Sequence, residues 1–410
     1  MFPKSPMIRF VLGRYTGHGI GAAEGDEHKE QRRIFSLAFS LRNIKDLYPT
    51  FWAKGGEAVQ ALISTAGRHA SKSTVVEIHS RAMRCALDVV GTASMGVEFG
   101  AIHDKNHVLI QSYSTLDDFQ RQDGVLVVLG TYLPEFLVNR IPLRRNREID
   151  DALKPIQTAC WNGIQAKKMS EQQHTRPDIC SVALESGYFS DEDLVEQLMV
   201  FLFAGQHAIA KTLTAAIYAL CVFPDKQDRL REEVRSKLPL PGGAGQITST
   251  DVDSMPYLNA VCKEVLRKYS VGVSSREAVC DTTIQGQVVP KPPTLKSAVC
   301  GINADPSLWG DDASEFKPER WLSAGDDYCA NADKRAGGAA TSNYAFMTFM
   351  HGPQSCVAAR FAQAEFACLL AAWVSRLEFS LHDKSLMDER KLATRALQTS
   401  LDVRIRVLEE

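Results

Sequence analysis

Residues 192–224 read EDLVEQLMVFLFAGQHAIAKTLTAAIYALCVFP, and this stretch decides the kind of fold the chain can adopt. Ser190 and Asp193 stand in capping-box spacing at its start and Pro224 lies just past its end, so the pattern predicts a single helix. At roughly 1.5 Å per residue it would run about 50 Å, enough to cross a large domain. It is apolar on most of its faces, which calls for burial in the middle of the fold. Its most apolar part, residues 198–204, is short and is followed by Gly205, Gln206, His207 and Lys211, so no membrane span is expected there.

Outward from this helix the signal stays helical. KQDRLREEVRSKL (226–238) is a charged amphipathic helix, PLPGGAGQITST (239–250) a surface loop, and MPYLNAVCKEVLRKY (255–269) a further helix. Strand signals come later: DTTIQGQVVP (281–290) reads as a short hairpin around Gly286, and LDVRIRV (401–407) alternates as a half-buried strand does. AGDDYCANADKRAGGAATSN (324–343) is a polar, glycine-rich loop. The expected class is mostly α with a minor β component, without an internal repeat. Length alone would allow roughly two or three domains, but no linker-like break divides the sequence, so residues 1–410 are expected to form a single domain.

Of the 410 residues 45% are hydrophobic and 23% charged, with a net charge of -2, so a large core is available and nucleic acid is not an expected partner. Ten cysteines lie between Cys85 and Cys368 without a Cys-x-x-Cys pair, and the start MFPKSPMIRF is no secretory leader. A reduced, intracellular setting fits this usage.

One cysteine stands apart. In FMTFMHGPQSCVAAR (346–360), Cys356 follows a Gly-Pro step and precedes VAARFAQAEFACLLAAWVSRL (357–377), a strong helix former. Near a helix N-terminus the dipole and free backbone N–H groups favour a thiolate, which suits a nucleophile or a metal ligand. Three readings remain open on these residues alone. Cysteine often simply packs in a core; it serves hydrolases, with His351 five residues upstream as a candidate base; and it ligates haem iron from a shaped loop with a helix behind it.

The surrounding motifs resemble those of the haem-thiolate superfamily, the cytochromes P-450, and the similarity covers nearly the whole chain. FMTFMHGPQSCVA is similar to the ligand loop Phe-x-x-Gly-x-Arg-x-Cys-x-Gly, with Phe349, Gly352 and Cys356 in register. KEVLR supplies Glu-x-x-Arg as Glu264 and Arg267, and FKPERW supplies the partner Arg320. The resemblance implies that these three form a charge-assisted network beneath the haem. It implies too that His28 and Arg32 in HKEQRR reach one haem propionate and that Arg276 in SREAVCD reaches the other. AGQHAIA falls where the family bends its central helix to bind oxygen, with Ala204 and Gly205 matching. EGDEHKEQRR and DPSLWGDDASEFKPERW look most like fungal microsomal members, a group tied to secondary metabolism.

The family implies a helical prism with haem between the central helix and the cysteine loop. Cys356 would be the iron ligand, and O2 would be used with electrons from an NADPH-dependent reductase. The substrate would be a small lipophilic molecule facing Phe201, Phe203, Val271 and Val273. A monomer at the cytoplasmic face of the endoplasmic reticulum is implied as well. Against this stand several departures. His207 and Ala208 replace the acid and threonine that deliver protons during O–O cleavage, although an imidazole can itself relay protons. Gln354 replaces an arginine, keeping a donor but losing the charge, and Ala358 replaces a glycine. KYSVGV lacks the usual prolines, and Lys296 enters a strand that is usually apolar. The chain begins just before the propionate helix, so an anchor and the first two strands are expected to be missing, leaving an open sheet edge. These departures leave room for O2-independent isomerase or dehydratase chemistry, or for a non-catalytic haem-binding relic.

Overall fold

The structure is a computed structural model that describes residues 2–66, 74–117, 124–169, 178–243, 245–270, 273–291, 294–322, 342, 344–387 and 400–409. The glycine-rich loop 324–343 therefore falls almost wholly outside the described residues. The described chain gathers into two compact units, one of residues 1–38, 90–204 and 273–298, the other of residues 39–89, 205–272 and 299–410.

The long helix predicted from the opening stretch is present as Asp191–Val222. Its start is fixed as the spacing predicts: Ser190 Oγ accepts from the Asp193 N–H while Asp193 Oδ2 accepts from the Ser190 N–H. By length and composition this helix could cross a membrane, contrary to the reading of residues 198–204, but 67% of its most apolar window is buried inside the protein. Burial, not composition, makes it a core helix.

In the first unit the helix Gly25–Ala38 packs on Ile179–Ser186, and Pro6–Thr16 packs on Gly124–Tyr132. Phe35 stands at the centre, edge-on to Phe201 at 4.9 Å and stacked on Phe189 at 5.5 Å. Strand β2 (Val273–Glu277) pairs antiparallel with β5 (Thr294–Ala298). The hairpin around Gly286 forms from β3 (Thr282–Ile284) and β4 (Gln287–Val289), with Gln285 at φ 48° and Gly286 at φ 80°. Two successive positive φ values are the turn that matches strand twist, and glycine adopts its half of it without steric cost. The far side of β2 is not left bare: Ser5 N–H donates to Ser275 O, Glu277 N–H to Pro3 O, and Lys4 bridges Arg276. The expected open edge is thus covered along these residues by the chain's own start.

In the second unit the helix Ala359–Arg376 lies against Tyr48–Ala66. Phe361 meets Phe51 edge-on at 5.1 Å. A Cβ on Gly55 would come within 2.9 Å of the Ala372 Cβ, so the two backbones approach as closely as glycine permits. The sheet orders β1 (Thr74–Glu77), β7 (Asp402–Val407) and β6 (Leu377–Leu381), all antiparallel. β7 buries Val403 and Ile405 and exposes Arg404 and Arg406, the alternation its sequence predicts.

Glu365 is the anomaly of this core. It is 1% exposed on Ala359–Arg376, and neither carboxyl oxygen has a hydrogen-bond partner. Burial pushes its carboxyl well above the ordinary 4.5. The folded state therefore holds a proton that the unfolded chain releases, so its contribution is lost as pH rises from about 4.5 toward the folded value. Glu365→Gln is expected to match the parent in acid and to exceed it in unfolding free energy at about pH 8. Urea titrations at the two pH values check this; equal stability of both proteins at the alkaline pH counts against a buried neutral carboxyl.

Candidate functional site

The cysteine loop is built by backbone turns. Met350 N–H donates to Met347 O at 2.9 Å, Ser355 N–H to Gly352 O at 3.0 Å, and Cys356 N–H to Phe349 O at 2.9 Å. Gly352 has φ 80°, a left-handed conformation in which a side chain would be strained, and the space beside it is open. Met350 at φ 59° is one of two non-glycine residues in that region among the described residues, a cost of about 1–2 kcal/mol that neighbouring contacts must offset. Ala358, by contrast, sits at φ -94° and ψ 15°, open to any residue, so its departure from glycine adds no backbone strain. Phe349 and Gln354 are half-buried.

Burial separates Cys356 from the other cysteines. Cys85, Cys160, Cys180, Cys221, Cys262 and Cys368 are buried, and desolvation pushes each of their thiols up, Cys180 to about 12. These six follow the packing reading. Cys280, Cys300 and Cys356 are the exposed ones among the described residues, and of these Cys356 lies three residues ahead of the long helix Ala359–Arg376.

Glu264, Arg267 and Arg320 do form one network, larger than the motifs indicate. Arg267 donates to both Glu264 oxygens at 2.9 and 2.8 Å and to the carbonyls of Asn303, Ala313 and Glu315. Glu264 also accepts from Arg320 Nε at 3.1 Å, Trp321 Nε1 at 2.9 Å and the Lys317 N–H at 2.8 Å. Arg320 continues to Asp312 at 3.0 Å. Both members of the central pair are 0% exposed, so this is a buried ion pair and every buried lone pair needs its donor.

Asn303 connects this network to the cysteine loop. It is fully buried; its Nδ2 donates to Arg267 O at 3.2 Å and Thr348 Oγ1 at 2.8 Å, and its Oδ1 accepts from the Met347 N–H at 2.8 Å. Thr348 Oγ1 in turn donates to Leu266 O at 2.7 Å. The strand of loop before Met350 is thereby fastened to the Glu-x-x-Arg helix. Asn303 and Trp321 escape a sequence reading because neither carries a charge; only the position of Trp321 beside Arg320 hinted at it.

The cationic residues meet in the first unit. His28 is 7% exposed on Gly25–Ala38, and burial lowers its pKa, aided by the charges of Lys4, Arg32 and Arg276 and opposed by Glu24. Arg276 Nη1 lies 3.7 Å from Glu24 Oε1. A concentration of positive charge around one carboxylate suits an anionic ligand group.

On the long helix, residues 204–208 continue the helix without a break, so the expected bend is not an interruption of it. Gln206 and His207 are buried, while Ala204 and Ala208, one turn apart, are exposed beside Gly205. A helix otherwise deep in the core thus offers one open, small-residue face. Thr212 Oγ1 is turned back onto Ala208 O at 2.8 Å and does not replace the missing hydroxyl. Phe201 is buried against Phe35, Phe203 stands 6.2 Å from Tyr113, Val273 lies in β2, and Val271 falls outside the described residues.

In the second unit an exposed cysteine on a turned loop ahead of a helix suits a thiolate ligand to haem iron, and in the first unit the cationic cluster suits haem carboxylates, so the residues of each unit, taken by itself, fit that group. Comparisons with known proteins give the family. The chain matches the family Cytochrome P-450 over residues 2–403. It is 41% identical over 389 residues to cytochrome P-450 monooxygenase sphH of Aspergillus fumigatus, covering 93% of this chain and 70% of the relative. It is 38% identical to cytochrome P-450 monooxygenase FUM15 of Gibberella moniliformis, covering 99% and 76%, and 37% identical to cytochrome P-450 monooxygenase buaD of Petromyces alliaceus, covering 96% and 73%. The chain belongs to the cytochrome P-450 family, in its fungal branch, and haem is the family's cofactor.

Proposed function

We propose that this chain is a haem-thiolate monooxygenase that oxidises a small lipophilic molecule, with residues 1–410 acting as one haem domain. The observation that carries this reading is Cys356, exposed three residues ahead of the helix Ala359–Arg376 on a loop fastened to the buried Glu264–Arg267 network. Bound haem supplies the activation of O2 and transfer of one oxygen atom to substrate, with NADPH-derived electrons delivered through a reductase partner. Cys356 would hold the iron, Phe349 and Gly352 would shape the loop, and Gln354 would offer a neutral donor. His28, Arg32 and Arg276 would hold the propionates. Phe201, Phe203, Val271 and Val273 would wall the substrate, and the protein would act as a monomer. Relatives named as monooxygenases favour this over the isomerase or dehydratase alternative and over a non-catalytic relic.

Protons are the distinctive issue in this chain. His207, buried beside the open face of Gly205 and Ala208, is the titratable group available on that turn. With haem, reductase, NADPH and 18O2, lipophilic fungal metabolites are expected to gain one labelled oxygen; labelling absent from every product would overturn the reading. Ala208→Thr restores a hydroxyl on the open face, and a rise in product formed per NADPH consumed is the expected result. Turnover of hydroperoxides alone, unchanged by that substitution, would favour the O2-independent chemistry.

Association with the endoplasmic reticulum surface is supported by the first unit's exterior. Val125, Val128 and Tyr132 on Gly124–Tyr132, then Phe136 and Leu137 on Glu135–Arg140, are exposed, and Arg140, Arg144 and Arg147 follow. Apolar side chains flanked by arginines suit a bilayer carrying anionic lipid. Flotation with phosphatidylserine-containing vesicles is expected, reduced by Val128→Glu with Phe136→Glu; flotation indifferent to both changes would reject this surface.

A further inference from the structure

Lys4 lies among the cationic residues but outside the motifs that carry the family resemblance, and Glu24, the first residue of EGDEHKEQRR, is given no role by that resemblance. Lys4 enters through the chain's first residues, which lie along β2 and bridge Arg276. Its backbone N–H donates to Glu24 Oε1 at 2.7 Å, and its Nζ donates to Ala23 O at 2.8 Å and lies 3.3 Å from the same Glu24 oxygen. That oxygen is 3.7 Å from Arg276 Nη1. One carboxylate oxygen therefore faces two cations from two separate segments. Glu24 immediately precedes the helix Gly25–Ala38, whose positive end adds to the attraction. Desolvation apart, Lys4 is the charge that most disfavours a protonated His28, ahead of Arg32 and Arg276. The Lys4 ammonium thus shares the space of the residues assigned to the propionates.

We propose that Glu24 is an internal counter-anion that competes with a haem propionate for Arg276 and Lys4, and that Lys4 is a further cation holding the haem. This deepens the haem-thiolate reading and rests on it. Glu24 keeps the cluster neutralised and its side chains in place, and a like-charged propionate must then share those cations with it. Because both charges are partly exposed, each should change haem retention by about fivefold. The two act in opposite directions, whereas a mere staple between the chain start and β2 would weaken haem binding whichever partner was removed.

The test is the rate of haem transfer from the holoprotein to excess apomyoglobin, followed by absorbance, which reads retention without catalysis. Lys4→Met keeps the apolar stem and removes the charge, and is expected to speed haem loss about fivefold. Glu24→Gln keeps the shape and a hydrogen-bonding oxygen, and is expected to slow haem loss by a similar factor. If Glu24→Gln fails to slow the loss, or Lys4→Met fails to speed it, the proposal is overturned. Should the parent protein take up no haem, or take it up independently of Cys356, it is the haem-thiolate reading that fails. Haem bound through Cys356 with both variants unchanged defeats the Lys4–Glu24 inference alone.

Discussion

Cys356→Ala is expected to abolish the red-shifted Soret band of the reduced carbon monoxide complex while leaving the apoprotein's unfolding midpoint close to that of the parent. The two halves of this result have separate causes. The red shift would need a thiolate ligand on the haem iron, which Cys356 would supply, and no methyl group can donate that electron pair. The fold needs little from the sulfur: Cys356 is exposed, and its backbone N–H bond to Phe349 O survives in alanine. Surface substitutions of this kind stay within about 0.5 kcal/mol. An unaltered band would mean that the iron is held elsewhere, and the assignment of function would go with it. Cys280 and Cys300, the other exposed cysteines among the described residues, serve as controls and should leave the band as it is when changed to alanine.

Arg267→Ala should have the largest effect on stability. Arg267 is 0% exposed and donates to Glu264 twice and to three carbonyls. Its loss takes two of the five donors from the buried Glu264 carboxylate and leaves the buried Asn303 and Ala313 carbonyls, with the part-buried Glu315 carbonyl, without this donor, for which about 3–5 kcal/mol is a reasonable scale. Against a total of about 5–15 kcal/mol, that is a large share. The lost bond to Asn303 O also removes one fixed point of the tether to Met347 and Thr348, so haem bound through Cys356 should convert readily to a form without thiolate ligation. Urea titration of the apoprotein measures the first effect and the carbon monoxide spectrum the second. Arg267→Lys keeps the charge but not the fork, and should recover only part of either. A change below about 0.5 kcal/mol would show that the network contributes nothing measurable to the fold.

Much of the site was legible because its parts are local. Glu264 and Arg267 are one helical turn apart, and Gly352 and Cys356 share one short loop, so spacing along the chain already encodes their geometry. The Ser190–Asp193 cap, the turn at Gln285–Gly286 and the alternation of β7 are of the same kind. Asn303 was not legible, because its value lies in holding Arg267 and Thr348 together across 36 and 45 residues of chain. Lys4 and Glu24 escaped for the same reason, being joined across 20 residues by a segment with no strand signal.

By itself the sequence determined the helices, the turn residues and the one cysteine ahead of a strong helix, because these depend on periodicity and on the conformations each residue tolerates. Only the tertiary structure realised the burial that the sequence called for along Asp191–Val222, whose composition would also suit a membrane span, and decided that six cysteines are buried packing and that Glu264 has five donors. Composition cannot separate these outcomes, since a buried apolar helix and a membrane helix present the same surface. The difference is set by which distant residues remove that surface from water.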